Sequence, residues 1–223
     1  MNISRFFPLL LSLLLSLGSF ANSNNDTIPS TEGVQPFVRF GIDLSSFARG
    51  LIEPEVKQYE FAIDSEVFPN WFINLEGGWM NVSTITSNFD YKASGFFFRA
   101  GPDFNLLKRP SPRQQDLVTF GMRYAYSFQQ HEAPYFLSEN PYWGDYEGSV
   151  GQSSFNAHWI EFAGGVKAEV FQNFFLSWSL RTRVKLYTTR NSELDPYYLP
   201  GYGQGKRRAP VMVHYSLLYR FSL

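Results

Sequence analysis

The sequence predicts an all-β fold, an eight-stranded antiparallel up-and-down transmembrane β-barrel. Apolar and polar residues alternate with a period of two from about residue 37 to the end, which is typical of strands with two different faces. Aromatic residues make up 18% of the chain, including 23 Phe and 13 Tyr, more than a domain of this size usually hides in a core. After the N-terminal region no segment reaches the ~20 apolar residues of a spanning helix, and a closed barrel is the other structure that satisfies its backbone inside a bilayer.

The N-terminal region predicts export. Arg5 precedes an apolar run, Phe6–Leu17, that is too short for a spanning helix, and Ser19 and Ala21 suit signal-peptidase cleavage after Ala21. We therefore divide the chain into a signal peptide (1–21), a polar, disordered periplasmic leader (22–35) and an outer-membrane barrel domain (36–223). A retained N-terminal anchor is the alternative. The chain has no cysteine, which fits a bacterial envelope protein better than a disulfide-rich extracellular module.

Eight stretches carry the alternating pattern. In each stretch every second residue belongs to the apolar face. The first and last residues of that face are Val38–Leu44, Tyr59–Ile63, Trp71–Trp79, Phe96–Ala100, Val118–Tyr126, Ile160–Ala168, Phe174–Leu186 and Val211–Leu223. Short turns are predicted around "FPN" and "FQN", and long outer loops over Gln129–Phe155 and Thr188–Arg208. Short periplasmic turns and long outer loops are typical of outer-membrane barrels.

Alternation does not decide which face is inside, because a soluble lipocalin-like barrel has the same period with apolar residues inside. Three features favour an apolar exterior. The polar face is rich in small residues that suit a narrow lumen, Trp and Tyr lie towards the strand ends, and the chain ends on alternating Tyr219, Phe221 and Leu223. The last pattern resembles the C-terminal assembly signal of bacterial outer-membrane proteins.

The polar face carries charges of both signs, which predicts a structural network of salt bridges in the lumen, because buried charges must pair. Its predicted members are Arg39, Asp43, Glu60, Asp64, Glu76, Arg99, Arg123, Glu161, Lys167, Glu169, Arg181, Arg183, Lys185 and Arg220. In the stretch "FFLSWSLRTRVKLY" the basic residues Arg181, Arg183 and Lys185 share one face, and we expect Glu161 and Glu169 to pair with them. A narrow channel is the alternative, although a selective pore favours a wider barrel or one dominant sign.

His214 and Ser216 form an H-x-S pair on the last predicted strand. The spacing resembles that of outer-membrane lipid A deacylases, which use a His and a Ser on a barrel strand. The motif is short, the predicted register turns the pair inward, and the sequence places no acidic residue to orient the histidine. A lipid-modifying enzyme is therefore the runner-up function, and we expect no enzymatic activity.

The predicted outer loops supply candidate contact residues, because clustered exposed aromatics suit protein or carbohydrate contact and basic residues bind lipopolysaccharide phosphates. Aromatics folded back onto the barrel rim are the alternative. The candidates are Tyr135, Phe136, Tyr142, Trp143, Tyr146, Lys206, Arg207 and Arg208. The spacing of His and acidic residues predicts no metal site and no cofactor. "GYGQGKRR" is predicted to be a flexible outer loop, since it lacks the Ser or Thr of a phosphate loop.

Three segments together resemble a family of small bacterial outer-membrane β-barrels known as a domain of unknown function. They are "GIDLSSFARGL" (Gly41–Leu51), "AHWIEFAGGVKAEVFQNFFLSWSLR" (Ala157–Arg181) and "YYLPGYG" (Tyr197–Gly203). The resemblance implies the barrel and the envelope location, and it implies no activity and no functional residues.

The sequence thus predicts a small outer-membrane barrel with a structural or interaction role. Its expected partners are outer-membrane lipid and lipopolysaccharide, the outer-membrane assembly machinery through the last strand, and an envelope protein or glycan at the outer loops. Nucleic acid is not expected, since the net charge is −1 and the chain is exported.

Overall fold

The computed structural model of the chain describes residues 36–109, 115–139, 141–189, 196–205 and 209–222. The predicted signal peptide and leader lie outside these residues. The elements, in chain order, are β1 (Phe37–Asp43), α1 (Leu44–Ile52), β2 (Val56–Phe68), β3 (Trp71–Ile85), β4 (Phe89–Asn105), β5 (Leu117–Ser138), β6 (Tyr146–Phe171), β7 (Phe174–Thr188), β8 (Tyr198–Leu199), β9 (Gly203–Gln204) and β10 (Val211–Ser222).

Eight of the strands close into an antiparallel barrel in the order β1-β10-β7-β6-β5-β4-β3-β2. The first and last strands pair along their length, from Phe37 opposite Ser222 to Asp43 opposite Ser216, and this pairing seals the ring. β8 and β9 form a separate two-stranded hairpin. The prediction of an all-β, eight-stranded antiparallel barrel is confirmed.

The inward face of the barrel is polar and the outward face is apolar. Along β2, for example, Glu60 and Asp64 are buried whereas Phe61 and Ile63 on the other face are exposed. β3 has the same arrangement, with Asn74 buried and Leu75 exposed. An apolar exterior around a polar interior is the pattern of a barrel surrounded by lipid and the opposite of a soluble lipocalin-like barrel.

Two tight turns close one end of the barrel, which we call the turn end. Glu66–Asn70 ("EVFPN") and Glu169–Asn173 ("EVFQN") are near-identical segments that connect β2 to β3 and β6 to β7. Asn70 and Asn173 have φ values of 67° and 66°, in the left-handed region that Asn tolerates better than most residues. In both turns the Asn backbone N–H donates to a side-chain oxygen of the preceding Glu at 2.8 Å. The two predicted short turns therefore share one capping device.

The strands at the other end, the loop end, differ strongly in length. β5 has 22 residues and β6 has 26, against the ~9–11 residues that cross a membrane. The prediction that Gln129–Phe155 forms a loop was wrong, because most of this segment continues β5 and β6 as one projecting hairpin. Only residues 139–145 connect the two strands. Among the described residues, β6 pairs with β7 as far as Ala157 opposite Thr188, and the backbone oxygen of Asn156 accepts from the N–H of Thr189, so residues 146–155 pair only with β5.

A helix that the sequence reasoning missed follows β1 at the loop end. Leu44, predicted to be the last outward residue of the first strand, is instead the first residue of α1. Asp43 caps the helix, because its side chain accepts a hydrogen bond from the backbone N–H of Ser46 at 2.7 Å. The signal was present in "DLSSFARGL", where an N-cap residue precedes apolar residues at helical spacing.

The segment after β7 also differs from its prediction. The described part, residues 196–205, does not form a flexible outer loop. It contains β8 and β9, and Leu199 and Tyr202 are fully buried in a cluster with Phe97, Phe155 and Trp159. We call residues 196–205 the plug, since they fill the barrel at the loop end. No helix within the described residues is both long and apolar enough to cross a membrane.

Candidate functional site

The largest group of charged side chains within the described residues is a buried network in the lumen of the barrel. Alternation along each strand turns its polar residues inward, and ring closure brings them together from seven of the eight barrel strands. Six carboxylates and six cations are buried there: Asp43, Glu60, Asp64, Glu76, Asp103 and Glu161 with Arg39, Arg99, Arg123, Lys167, Arg181 and Arg183. The two sets have equal numbers, so their formal charges cancel.

Glu76 and Glu161 are the hubs of this network, and each binds three arginines. Glu161 lies 2.7 Å from Arg183, 3.1 Å from Arg181 and 3.3 Å from Arg99. Glu76 lies 2.6 Å from Arg181, 3.0 Å from Arg99 and 3.3 Å from Arg123. Arg99 and Arg181 bridge the two hubs, and Arg99 also binds Glu60. Charge-assisted contacts of this kind are stronger than neutral hydrogen bonds, and together they lock strands on opposite sides of the ring.

A second chain of ion pairs continues towards the turn end. Asp64 binds both Arg39, at 2.6 Å, and Lys167. Asp103 accepts from Arg123 at 3.0 Å and also binds the side-chain amide of Asn74. Because Asp64 is on β2 and Lys167 on β6, this contact crosses the lumen.

His214 is enclosed by the network and uses both ring nitrogens there. Its Nδ1 lies 2.9 Å from Asp43 Oδ2, and its Nε2 lies 2.7 Å from an Arg183 guanidinium nitrogen. Asp43 is thus the acidic residue that the sequence could not place beside His214. In a nucleophilic triad the second ring nitrogen must face the serine, whereas here it faces Arg183. Ser216 is buried on the same inward face, away from the apolar exterior.

Asp43, Glu60 and His214 could also be considered as metal ligands, since their ligand atoms lie within 4.8 Å of one another. Arg99 binds Glu60 and Arg183 contacts His214. These guanidinium groups bring the positive charge that a cation would otherwise supply. The arrangement fits a hydrogen-bonded polar cluster inside the salt-bridge network.

Little free space lies beside the charge network, whereas a larger cavity of about 320 Å³ lies at the loop end between α1, the plug and β10. A cavity of about 20 Å³ lies beside Asn74, Thr119 and Ser179, close to the volume of a single water site. Above it the plug closes the loop end. Arg183 donates to the backbone oxygen of Tyr202 at 2.9 Å, and Lys185 donates to that of Gly205 at 2.5 Å. Of the three basic residues that share the inward face of β7, Arg181 and Arg183 therefore bind carboxylates, and Arg183 and Lys185 bind the plug.

The plug tyrosines lie in a poorly solvated setting. Burial raises the pKa of Tyr202 to about 12, because the phenolate would lose its hydration there. Burial also raises the pKa of Tyr198, whose hydroxyl donates to Glu53 at 2.9 Å. Both phenols are therefore neutral at physiological pH.

The structure brings together eleven of the fourteen predicted lumen charges, and three lie elsewhere. Glu169 caps the β6–β7 turn and, contrary to the prediction, does not pair with Arg181, Arg183 or Lys185. Arg220 lies at the turn end over the ring of Phe37, at 4.5 Å, and makes no ion pair with a described carboxylate. Lys185 holds the plug, with its Nζ 5.4 Å from the centre of the Tyr202 ring.

Sequence reasoning missed two ionic contributions. Asp103 lies beyond Phe96–Ala100, the predicted apolar positions of the fourth strand, although the strand continues to Asn105 and keeps the inward register. Arg109 binds Glu66 at the turn end, and only the fold brings these distant residues together.

The candidate contact residues separate into three groups. Tyr135 and Phe136 lie on β5 and Tyr146 on β6, and the rings of Phe136 and Tyr146 pack at 5.9 Å. Tyr142 and Trp143, in the connection between the strands, are 91% and 90% exposed. Lys206, Arg207 and Arg208 lie outside the described residues.

These observations define a closed eight-stranded barrel with an apolar exterior and a charged, plugged interior. The chain belongs to the family described as domain of unknown function (DUF6048), whose model matches residues 2–223. The predicted resemblance to a family of unknown function is thus confirmed. No curated protein matches the chain. Among solved structures, the chain is similar to the crystal structure of Ail, the attachment invasion locus protein of Yersinia pestis. The two share 12% identity over 83% of this chain and 96% of that chain, with a TM-score of 0.38.

Proposed function

We propose that this protein is a non-conducting barrel of the bacterial outer membrane and that it acts through contacts made by its projecting β5–β6 hairpin. The proposal has two parts, the membrane location and the role of the hairpin. The location is supported by the apolar exterior, which would be costly to expose to water around a whole barrel. The turn end, where β1 starts and β10 ends, would face the periplasm.

The exposed aromatic tip of the hairpin is the observation that carries the interaction role. Tyr142 and Trp143 present almost their whole side chains at the end of two strands that are each more than ~10 residues longer than a membrane span requires. Tyr and Trp are enriched in the energetic centres of protein interfaces, and both also stack on sugars. We expect the partner to be an envelope protein or glycan.

A photo-crosslinking amino acid at position 143, introduced in living cells, tests the interaction role. Discrete adducts should form from position 143, whereas the same label at Lys57, an exposed position elsewhere at the loop end, should give none of them. Identical adduct patterns from the two positions would contradict the proposal that the hairpin tip binds a specific partner.

The filled lumen supports the absence of conduction. The paired charges, the small size of the lumen cavity beside them, about 20 Å³, and the buried plug residues all favour a barrel without a conducting pore. In planar bilayers we expect no stable conductance from the wild-type protein. Steady channels whose ion selectivity changes with Arg183→Glu would contradict this part.

The runner-up, a lipid-modifying enzyme, receives no support from the His214 geometry. Deletion of the gene should leave the composition of lipid A unchanged. A changed acylation pattern that Ser216→Ala reproduces would favour the enzyme.

A further inference from the structure

Helix α1 presents its apolar side away from the protein. At 100° per residue one face collects its five apolar residues, Leu44, Phe47, Ala48, Leu51 and Ile52. All five are exposed, Leu51 by 86% and Ile52 by 81%. A surface helix in water shows the reverse arrangement, with its apolar stripe against the core.

The polar side of the helix holds it against the barrel at both ends. At the N-terminus Asp43 accepts from Ser46 while its other oxygen contacts His214 in the lumen. At the C-terminus the backbone N–H of Glu53 donates to Arg49 at 2.7 Å, and the Glu53 side chain accepts from Tyr198 of the plug. The exposed apolar face is therefore fixed in its orientation.

This face continues the apolar exterior of the barrel. The ring of Phe47 packs edge-on against Tyr59 at 5.6 Å, and Tyr59 packs on Trp79 at 5.2 Å. Trp79 also contacts the outward ring of Phe61 at 5.8 Å. Tyr and Trp beside a purely apolar surface are typical of the boundary between headgroups and acyl chains.

We propose that α1 is an interfacial helix that lies in the outer leaflet of the bilayer and inserts Phe47, Leu51 and Ile52 among lipid acyl chains. A nine-residue helix is only ~13 Å long, and its single face is far smaller than the ~800 Å² that each partner contributes to a standard protein interface. Lipid requires no such area, and helices of this pattern bury their apolar face ~5–10 Å below the headgroups. This inference rests on the proposed membrane location.

The absence of cysteine from the chain allows a direct test with single-cysteine variants. Leu51→Cys, Phe61→Cys and Trp143→Cys are each labelled with nitrobenzoxadiazole and folded into phosphatidylcholine vesicles, with or without a lipid that carries a nitroxide quencher on its acyl chain. Phe61 is the control for the barrel exterior and Trp143 the control for water. Heat-dependent gel migration verifies that each labelled barrel is folded.

The proposal predicts that the Leu51 label emits at shorter wavelength than the Trp143 label and loses as large a fraction of its intensity to the quencher as the Phe61 label. Quenching of Phe61 without quenching of Leu51 would overturn the inference on α1 and leave the membrane location intact. A blue-shifted Leu51 label that the nitroxide does not quench would mean that protein, and not lipid, covers the helix. If Phe61 itself escapes quenching, the proposed membrane location fails.

Discussion

Replacing the hub carboxylate Glu161 tests whether the buried charges hold the barrel together. Glu161→Gln keeps the shape of the side chain and removes the negative charge that faces three guanidinium groups at 2.7, 3.1 and 3.3 Å. The network would then hold six cations against five carboxylates. Both oxygens of Glu161 accept hydrogen bonds from arginine. The NH₂ group of the new amide would replace one of these oxygens, so two hydrogen-bond donors would face each other there.

The expected cost follows from this loss. Removing one partner of a buried ion pair typically destabilises a protein by ~3–5 kcal/mol, since the remaining charges stay buried without compensation. A loss of ~3 kcal/mol lowers the folding equilibrium constant by more than a hundredfold. The contribution of a third arginine at Glu161 places the variant towards the upper part of that range.

Urea unfolding of the vesicle-reconstituted barrel, followed by tryptophan fluorescence, measures this effect. Glu147→Gln makes the same chemical change at an exposed position of the hairpin and should alter the unfolding free energy by no more than ~0.5 kcal/mol. If Glu161→Gln does not fold, Glu161→Asp retains the charge and should fold with an intermediate loss. Equal stability of Glu161→Gln and Glu147→Gln would refute the view that the lumen charges are structural.

Three further predictions concern other parts of the fold. A Cβ at Gly121 would lie 1.9 Å from Asp103 Oδ1, so Gly121→Ala should lower the thermal midpoint and cost ~1–3 kcal/mol, whereas Gly151→Ala, with nothing within 4 Å, should not. The ionisation of Tyr202 can be followed as the difference between the spectrophotometric titrations of the wild type and of Tyr202→Phe, and in the folded protein it should occur near pH 12. Because its folded pKa exceeds the unfolded value, its contribution to stability is complete below pH ~10 and is lost as the pH rises towards 12. Replacing both Tyr142 and Trp143 with Ser should leave the unfolding free energy within ~0.5 kcal/mol of wild type, and a larger loss would mean that the tip packs on the barrel.

The barrel and its polarity could be predicted because each depends on local pattern. Period-two alternation assigns faces strand by strand, and most lumen charges follow from parity alone, as Glu60 and Glu161 do. The turns also depend on local sequence, since both contain an Asn, Asn70 or Asn173, that tolerates the left-handed conformation of a tight reversal.

What the sequence did not reveal depends on contacts between distant segments. Alternation did not reveal the partner of Glu169. The residue lies at the end of β6, where its side chain accepts a hydrogen bond from the backbone N–H of Asn173 in the turn. The segment that contains the plug was predicted to be an outer loop because no motif in it indicated packing. Only the space left above Arg183 explains why Leu199 and Tyr202 are buried. The hairpin was taken for a loop because its Gly and Ser residues and two register shifts interrupt the alternation.

Heat-dependent gel migration combined with membrane fractionation tests the central claim, an apolar-out barrel in the outer membrane, most directly. The protein should sediment with outer membranes, and the unboiled sample should migrate as a compact form that boiling converts to a slower one. Recovery in the soluble periplasmic fraction with no difference between boiled and unboiled samples would contradict the account.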